Sequence, residues 1–505
     1  MVKINGFNNE KYLEEQTQLI LERANKFDNK LYLEFGGKLI YDYHASRVLP
    51  GYDPNVKMRL LQKLKKDIDI ILCIYAGDIE KGKIRADFGI TYDADALRII
   101  DNLKEWDLKV TAVVITRYTG QPAAKKFKDK LERHNIKVYT HSYTKGYPSD
   151  LDLIISDEGY GANPYIETTH PIVVVTGPGP GSGKLATCLS QFYHDHQNDV
   201  KSGYAKFETF PIWSIPLKHP VNLAYEAATA DLLDVNLIDP FHLEAYGEVS
   251  INYNRDVDAF PLLKKILNRI QGEDIMYKSP TDMGVNRVGF GITNDDAVKE
   301  ASKQEIIRRF FKGSCDYALG LLEKKSVDKL SLLMEELNLN VEDRNIVFPA
   351  RKAAEECLEK KKGHEGIYCG AAIELKDGSI VTGKNSDIFH VASSVILNAI
   401  KVLAGIPDEV HLLSPKVLKS ISSLKSNVIG SKSVSLNLEE TLIALSISAT
   451  SDSNSQAAME KLKDLRNCEM HMTHMATPGD ESGLRKLGIN ITSDPVFSSR
   501  ELFVE

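Results

Sequence analysis

The residues best placed to do chemistry in this chain lie between positions 172 and 191. A β-branched run, Ile172 to Val175, breaks into Thr176-Gly-Pro-Gly-Pro-Gly-Ser-Gly-Lys184 and then into an apolar-periodic segment ending at Gln191. That order predicts a strand, a glycine-rich loop and a helix start. A loop opening a helix gathers unpaired backbone N–H groups and the positive end of the helix dipole, which together suit an anion. Gly177, Gly179, Gly181, Ser182, Gly183 and Lys184 are therefore expected to cradle a phosphate, with the lysine adding a mobile charge.

The loop departs from the Walker A pattern, Gly-x-x-x-x-Gly-Lys-Ser/Thr. Pro178 stands five residues before Gly183, and Leu185 replaces the hydroxyl residue that would hold Mg²⁺. Pro178 and Pro180 carry no N–H, which confines the donor cradle to residues 181–184. Thr187, about one helical turn later, is the hydroxyl available for the missing role. A rigid turn joining strand to helix is the competing reading of the same residues.

Other residues could serve such a site. Leu31-Tyr-Leu-Glu-Phe-Gly-Gly-Lys38 reads as a second strand with a glycine turn, offering Lys38 to an anion or forming a simple hairpin into Leu39-Ile-Tyr-Asp42. Asp157 and Asp239 each end an apolar run, where a carboxylate can hold Mg²⁺ beside a nucleotide or merely cap a turn. Ser279-Pro-Thr-Asp-Met-Gly-Val-Asn-Arg287 is dense in polar residues and reads as a binding loop, with Asp282, Asn286 and Arg287 as contacts, or as a helix–helix connection. A nucleotide with Mg²⁺ is the cofactor this set would suit. His194 and His196 are two apart and diverge on a helix, so they form no metal pair. His364-Glu365 lacks the second histidine of a zinc protease, and Ser182 lies outside a Gly-x-Ser-x-Gly elbow.

The elements that must position these groups follow from the apolar pattern. Residues 31–35, 68–75, 110–116, 136–140, 151–155 and 171–176 are short apolar runs, with helical stretches at 94–105 and 123–134. Continuous apolar strands joined by helices predict a parallel, doubly wound sheet covered on both faces, with ligands at the strands' carboxyl ends. Residues 201–221 are polar and contain prolines, and are expected to cross the surface or form a small separate element. The segment 256–340 reads as helical, at 259–271, 296–312 and 327–337. A new α/β pattern runs from about residue 341. The expected domains are thus 1–255, 256–340 and 341–505.

With 505 residues, several cores are expected. The net charge of −7, with both signs interspersed, argues against nucleic acid or a membrane surface as partner. No apolar run reaches membrane-spanning length, the amino-terminal ten residues lack a signal peptide's apolar core, and six scattered cysteines read as reduced thiols. A cytoplasmic location is the expectation.

In the last third, a helix at 351–360, a hairpin through Lys376-Asp-Gly378, a helix from His390 to Lys401, an apolar segment at 409–413 and a helix feeding a strand at 477–493 follow one another. This order resembles the cytidine deaminase fold, whose zinc ligands open two helices as His/Cys-x-Glu and Pro-Cys-x-x-Cys. His390 and Pro478 match, but Ala392 replaces the catalytic glutamate, and Gly479 and Ser482 replace the cysteines. The resemblance implies a deaminase-like domain without metal or deaminase chemistry, reused for binding or assembly. Across the whole chain, the motifs at 33–38, 176–184 and 279–287 resemble a conserved bacterial family of unknown function, some of whose members carry an ATP-dependent peptidase label. That resemblance implies a multidomain soluble protein and supplies no catalytic residues.

Taken together, the residues predict a multidomain α/β protein that binds a nucleotide or other phosphorylated small molecule and acts on it as an enzyme. The alternatives are a non-catalytic sensor or a structural homo-oligomer.

Overall fold

A strand with neighbours on both faces must be apolar in both directions, and the runs read above meet that demand. The computed structural model describes residues 5–27, 30–85, 88–272 and 275–499. Residues 1–4, part of the stretch read for a signal peptide, lie outside them. One sheet contains Leu31–Phe35 (β1), Ile68–Tyr75 (β2), Val110–Thr116 (β3), Val138–Thr140 (β4), Ile172–Thr176 (β5), Gly203–Phe207 (β6) and Gly284–Val285 (β7). Every pairing is parallel, in the order β7-β6-β1-β5-β2-β3-β4. Among the helices that accompany it are Tyr92–Glu105 (α1), Pro122–Arg133 (α2), Lys184–Gln197 (α3) and Asn254–Gln271 (α4). The chain leaves β5 through α3 and passes over β1 to β6, whereas β2, β3 and β4 lie on the other side of β5. Such a reversal of direction is where open parallel sheets leave a crevice at their carboxyl edge.

The structure corrects the sequence reading in three places. Residues 151–155 form the helical turn Leu151–Ile154 instead of a strand, because Asp150 caps it by accepting from Leu153 N at 3.1 Å. Five apolar residues alone do not distinguish the two states. Residues 201–221, expected to cross the surface or form a small separate element, supply the inner strand β6. Lys206 disguised it, and the strand tolerates that charge because carboxylates meet it. The hairpin after β1 does not form either, since β5 and β6 already occupy both edges of β1. Instead Asp42 caps the helix Tyr43–Val48 through Ala45 N.

The described residues divide into two compact units, residues 5–229 with 234–302, and residues 230–233 with 303–499. The middle segment is helical as read, with Asp295–Ala318 and Lys324–Glu336 following α4. In the C-terminal unit, Val347–Glu359 (α5), Gly370–Glu374 (β8), Ile380–Lys384 (β9), Val391–Ala404 (α6), Glu469–Met472 (β10), Pro478–Leu487 (α7) and Asn490–Ser493 (β11) form a mixed sheet with helices. Its order is β9-β8-β10-β11, with β8 antiparallel to both neighbours and β10 parallel to β11. Alternate residues of β8 face different helices: Ile373 joins Val395, Ile396 and Ile400 of α6, and Ala372 joins Ala350 of α5. The segment 409–413 adopts no regular element. No described helix is long and apolar enough to cross a membrane.

His141, directly after β4, is 3% exposed, and burial pushes its imidazole down to about 4. A group held neutral in the fold but titrating near 6.5 when unfolded takes up its proton first in the unfolded chain. Stability is therefore lost as pH falls from 6.5 towards the folded value. Urea unfolding is expected to show this histidine removing about 2 kcal/mol between pH 7 and pH 5. His141→Gln should flatten that part of the pH dependence, and an unchanged slope would contradict the assignment.

Candidate functional site

The glycine-rich loop leaves the carboxyl end of β5 and opens α3, as its sequence predicted. Gly183 is the helix N-cap at φ +90°, and a Cβ there would lie 2.7 Å from Thr116 Cγ2. At Gly177 a Cβ would meet Ser182 Oγ at 2.4 Å and the Cys73 carbonyl at 2.5 Å. Side chains from the neighbouring strand ends hold the loop by its carbonyls. Thr116 Oγ1 donates to the Ser182 carbonyl at 2.8 Å, Arg117 to that of Gly181 and Arg85 to that of Pro178. Arg117 in turn lies over the Tyr75 ring at 3.4 Å.

With the carbonyls engaged, the donors remain free. Among the described residues, the N–H groups of Gly181, Ser182, Gly183, Lys184, Leu185 and Ala186 have no acceptor in the protein. The Ser182 hydroxyl is buried without a partner, on a residue 2% exposed. Lys184 is half-buried and makes no ion pair or hydrogen bond among the described residues. Donors, dipole and charge all favour an anion.

The donor set does not fit a Mg²⁺ ion at this loop. Thr187 is fully buried and turned into the sheet, where Cys73 Sγ donates to its hydroxyl at 3.4 Å. Burial also pushes the Cys73 thiol up to about 12. The strand-end acids are engaged elsewhere. Asp157 accepts from Tyr193 OH at 3.0 Å. Asp239 caps the helix Pro240–Tyr246 and accepts from Phe241 N, His242 N, Thr281 N and Thr281 Oγ1 at 2.6–3.1 Å, which uses up its lone pairs. Asp282 accepts from Tyr246 OH and Lys278 N. Asn286 holds the Thr209 and Pro211 carbonyls, and Arg287 lies over Phe290. No hydrogen bond or ion pair among the described residues joins any of these five to the loop. Their expected convergence on Lys184 is thus replaced by contacts elsewhere: Asp157 with Tyr193, Asn286 with the 209–211 carbonyls, and Asp239, Asp282 and Arg287 within the 239–291 region. Lys38 offers its carbonyl to the buried Lys57 at 3.0 Å.

A group that the sequence reading missed sits at the same edge. Lys206 Nζ, on β6, donates to both Asp256 oxygens at 2.6 and 2.7 Å and lies 3.1 Å from Glu208 Oε1. Tyr253 OH donates to Glu208 Oε1 at 2.9 Å. Burial and the neighbouring Asp256 charge raise the Glu208 carboxyl to about 7, against the pull of Lys206. The signal that could have found the group is the lysine inside a strand-like run, Gly203-Tyr-Ala-Lys-Phe-Glu208, since a charge there requires carboxylate partners.

In the C-terminal unit, the two helix starts of the deaminase-like pattern meet. His390 Nδ1 and Asp480 Oδ2 are 2.8 Å apart, and Asp480 also accepts from Thr477 Oγ1 and Leu438 N, each at 2.8 Å. A Cβ at Gly479 would lie 2.5 Å from Asn437 Nδ2, Ser482 donates to Glu439, and Ala392 is buried. Three zinc ligands are not assembled there. Among the described residues, no group of three His, Cys, Asp or Glu is placed to hold a metal. A shallow hollow of about 440 Å³ in this unit, lined partly by Glu355, Tyr368 and His474, gathers no such group either.

The parallel sheet and mixed sheet define a multidomain α/β protein. Residues 5–338 match the domain of unknown function DUF1846, N-terminal, and residues 342–503 its C-terminal counterpart. The chain belongs to the DUF1846 family, a conserved bacterial one. It is 59% identical to a UPF0371 protein of Clostridium tetani and 58% identical to one of Clostridium botulinum (strain Langeland), each over 498 residues and 99% of both chains.

Two measurements test this geometry. Gly181 has φ +71° with open space around it, so Gly181→Ala should cost about 1–2 kcal/mol from the left-handed backbone alone. Gly183→Ala adds the clash with Thr116 and should cost roughly 3 kcal/mol or more in urea unfolding; equal losses would mean that Thr116 yields. Elemental analysis after dialysis against a chelator should find no stoichiometric zinc, and a retained equivalent would overturn the reading of the His390 region.

Proposed function

We propose that this protein binds a phosphorylated small molecule, a nucleotide or a sugar phosphate, with its phosphate on the 181–186 backbone, and acts on it as an enzyme. The observation that carries the reading is the run of six N–H groups without an acceptor among the described residues at the start of α3, beside Lys184 and the Ser182 hydroxyl, likewise unpartnered among them. Backbone donors at a helix start bind phosphate oxygens without needing a metal. The glycines keep side chains out of the cradle, and the grip of Thr116, Arg117 and Arg85 on the carbonyls holds the donors outward. The C-terminal unit, with His390 tied to Asp480 in place of a metal set, serves binding or assembly in this reading.

Calorimetry across nucleoside phosphates and sugar phosphates tests the proposal. Lys184→Ala should weaken the tightest ligand by about 1.5–3 kcal/mol, roughly 10- to 150-fold, the scale of a charge-assisted hydrogen bond. Absence of binding by the wild type, or equal binding by the variant, would remove the site.

A further inference from the structure

The phosphate loop follows β5, and the Lys206–Glu208 group follows β6, with β1 between them. Two strand spacings separate these ends, about 10 Å. A sugar phosphate anchored at one end reaches the other. Gly36, directly after β1, packs against Glu208. A Cβ there would lie 2.8 Å from Glu208 Cγ and 3.0 Å from its Oε1, and Gly36 N donates to the Phe207 carbonyl at 2.7 Å. Gly36, the first glycine of the 31–38 motif, therefore makes room for this carboxyl above the end of β1.

Glu208 is placed to move a proton. Its Oε1 is fixed by Tyr253 OH and Lys206, whereas Oε2 has no protein partner among the described residues, on a side chain 13% exposed. The surrounding charges are unequal. Lys206 faces Asp256 and Glu208, and Glu34, in register with it on β1, accepts from Tyr204 OH at 2.8 Å. Arg255 lies over Tyr253 but is bound to Asp234, and Tyr225 packs 6.2 Å from the Tyr253 ring. Three carboxyl groups thus surround one available ammonium, so one of them holds its proton weakly near neutrality. Glu208, largely buried and beside the Asp256 charge, is the one raised into that range.

We infer that Glu208 is a catalytic proton-transfer residue for a phosphorylated aldose or ketose, acting through Oε2 at the carbon beside the carbonyl. The proton leaves that carbon for Oε2, and the C–H electron pair moves into the enediolate, with negative charge on the carbonyl oxygen. The hydroxyl proton passes between the two oxygens, and return of the first proton to either carbon restores a carbonyl. Atoms and electrons balance with no further reactant. Tyr253 and Lys206 are positioning residues that orient the carboxyl. The inference rests on the phosphate reading for the ligand's anchor.

The test is deuterium incorporation from D₂O into ribose 5-phosphate, glucose 6-phosphate and fructose 6-phosphate, followed by mass spectrometry. The wild type should label at least one, at a rate that rises through pH 7 as the carboxyl loses its proton. Glu208→Gln should lower that rate by roughly 100-fold or more, with its unfolding transition retained. Tyr253→Phe should shift the pH profile. Lys184→Ala should raise KM. Labelling that does not depend on Lys184 would remove the phosphate anchor and keep Glu208. Binding of a sugar phosphate with no labelling of any of the three, or undiminished labelling by Glu208→Gln, would overturn the role of Glu208 and keep the anchor.

Discussion

The constraint on which the first unit depends is that all seven strands of its sheet run in one direction. Parallel strands need crossover connections, so each strand ends in a loop at the same edge. That edge collects the glycine loop after β5, Gly36 after β1, Glu208 after β6, and Thr116 and Arg117 at and after β3. A single antiparallel return after β1 would have moved the Gly36–Lys38 segment away from the others. The sheet's interior accordingly tolerates few charges, and each one is met by a partner.

Lys206 shows what such a partner does. An ammonium in an inner strand is costly to desolvate unless carboxylates meet it. Asp256 binds it at two oxygens, and Glu208 and Tyr253 complete the network. Having more acid than base in one place does not add stability. It leaves the Glu208 carboxyl raised, a feature more common where protons move than where a fold is merely held. Asp239, by contrast, is buried with four donors and no spare oxygen, which marks it as a structural cap.

The C-terminal unit applies the same physics to another purpose. Two helix N-termini, α6 and α7, converge on the His390–Asp480 pair, where their dipoles favour the carboxylate. Asn437 occupies the space that a side chain at position 479 would need. The charge at this junction is therefore supplied by Asp480 and satisfied within the protein.

The sequence by itself determined the elements whose signal is local. Continuous apolar runs marked β1, β2, β3 and β5, and the glycines and Lys184 marked the opening of α3. Local physics suffices there, because a strand's burial and a positive φ are properties of a few consecutive residues. Tertiary structure alone decided that Thr187 faces Cys73, that Asp157, Asp239 and Asp282 turn away from the loop, and that Lys206, Glu208, Tyr253 and Asp256 meet. Residues about 50 positions apart acquire a common environment only when the strand order places their ends side by side. That order is set by the packing of both sheet faces together, which no single segment encodes.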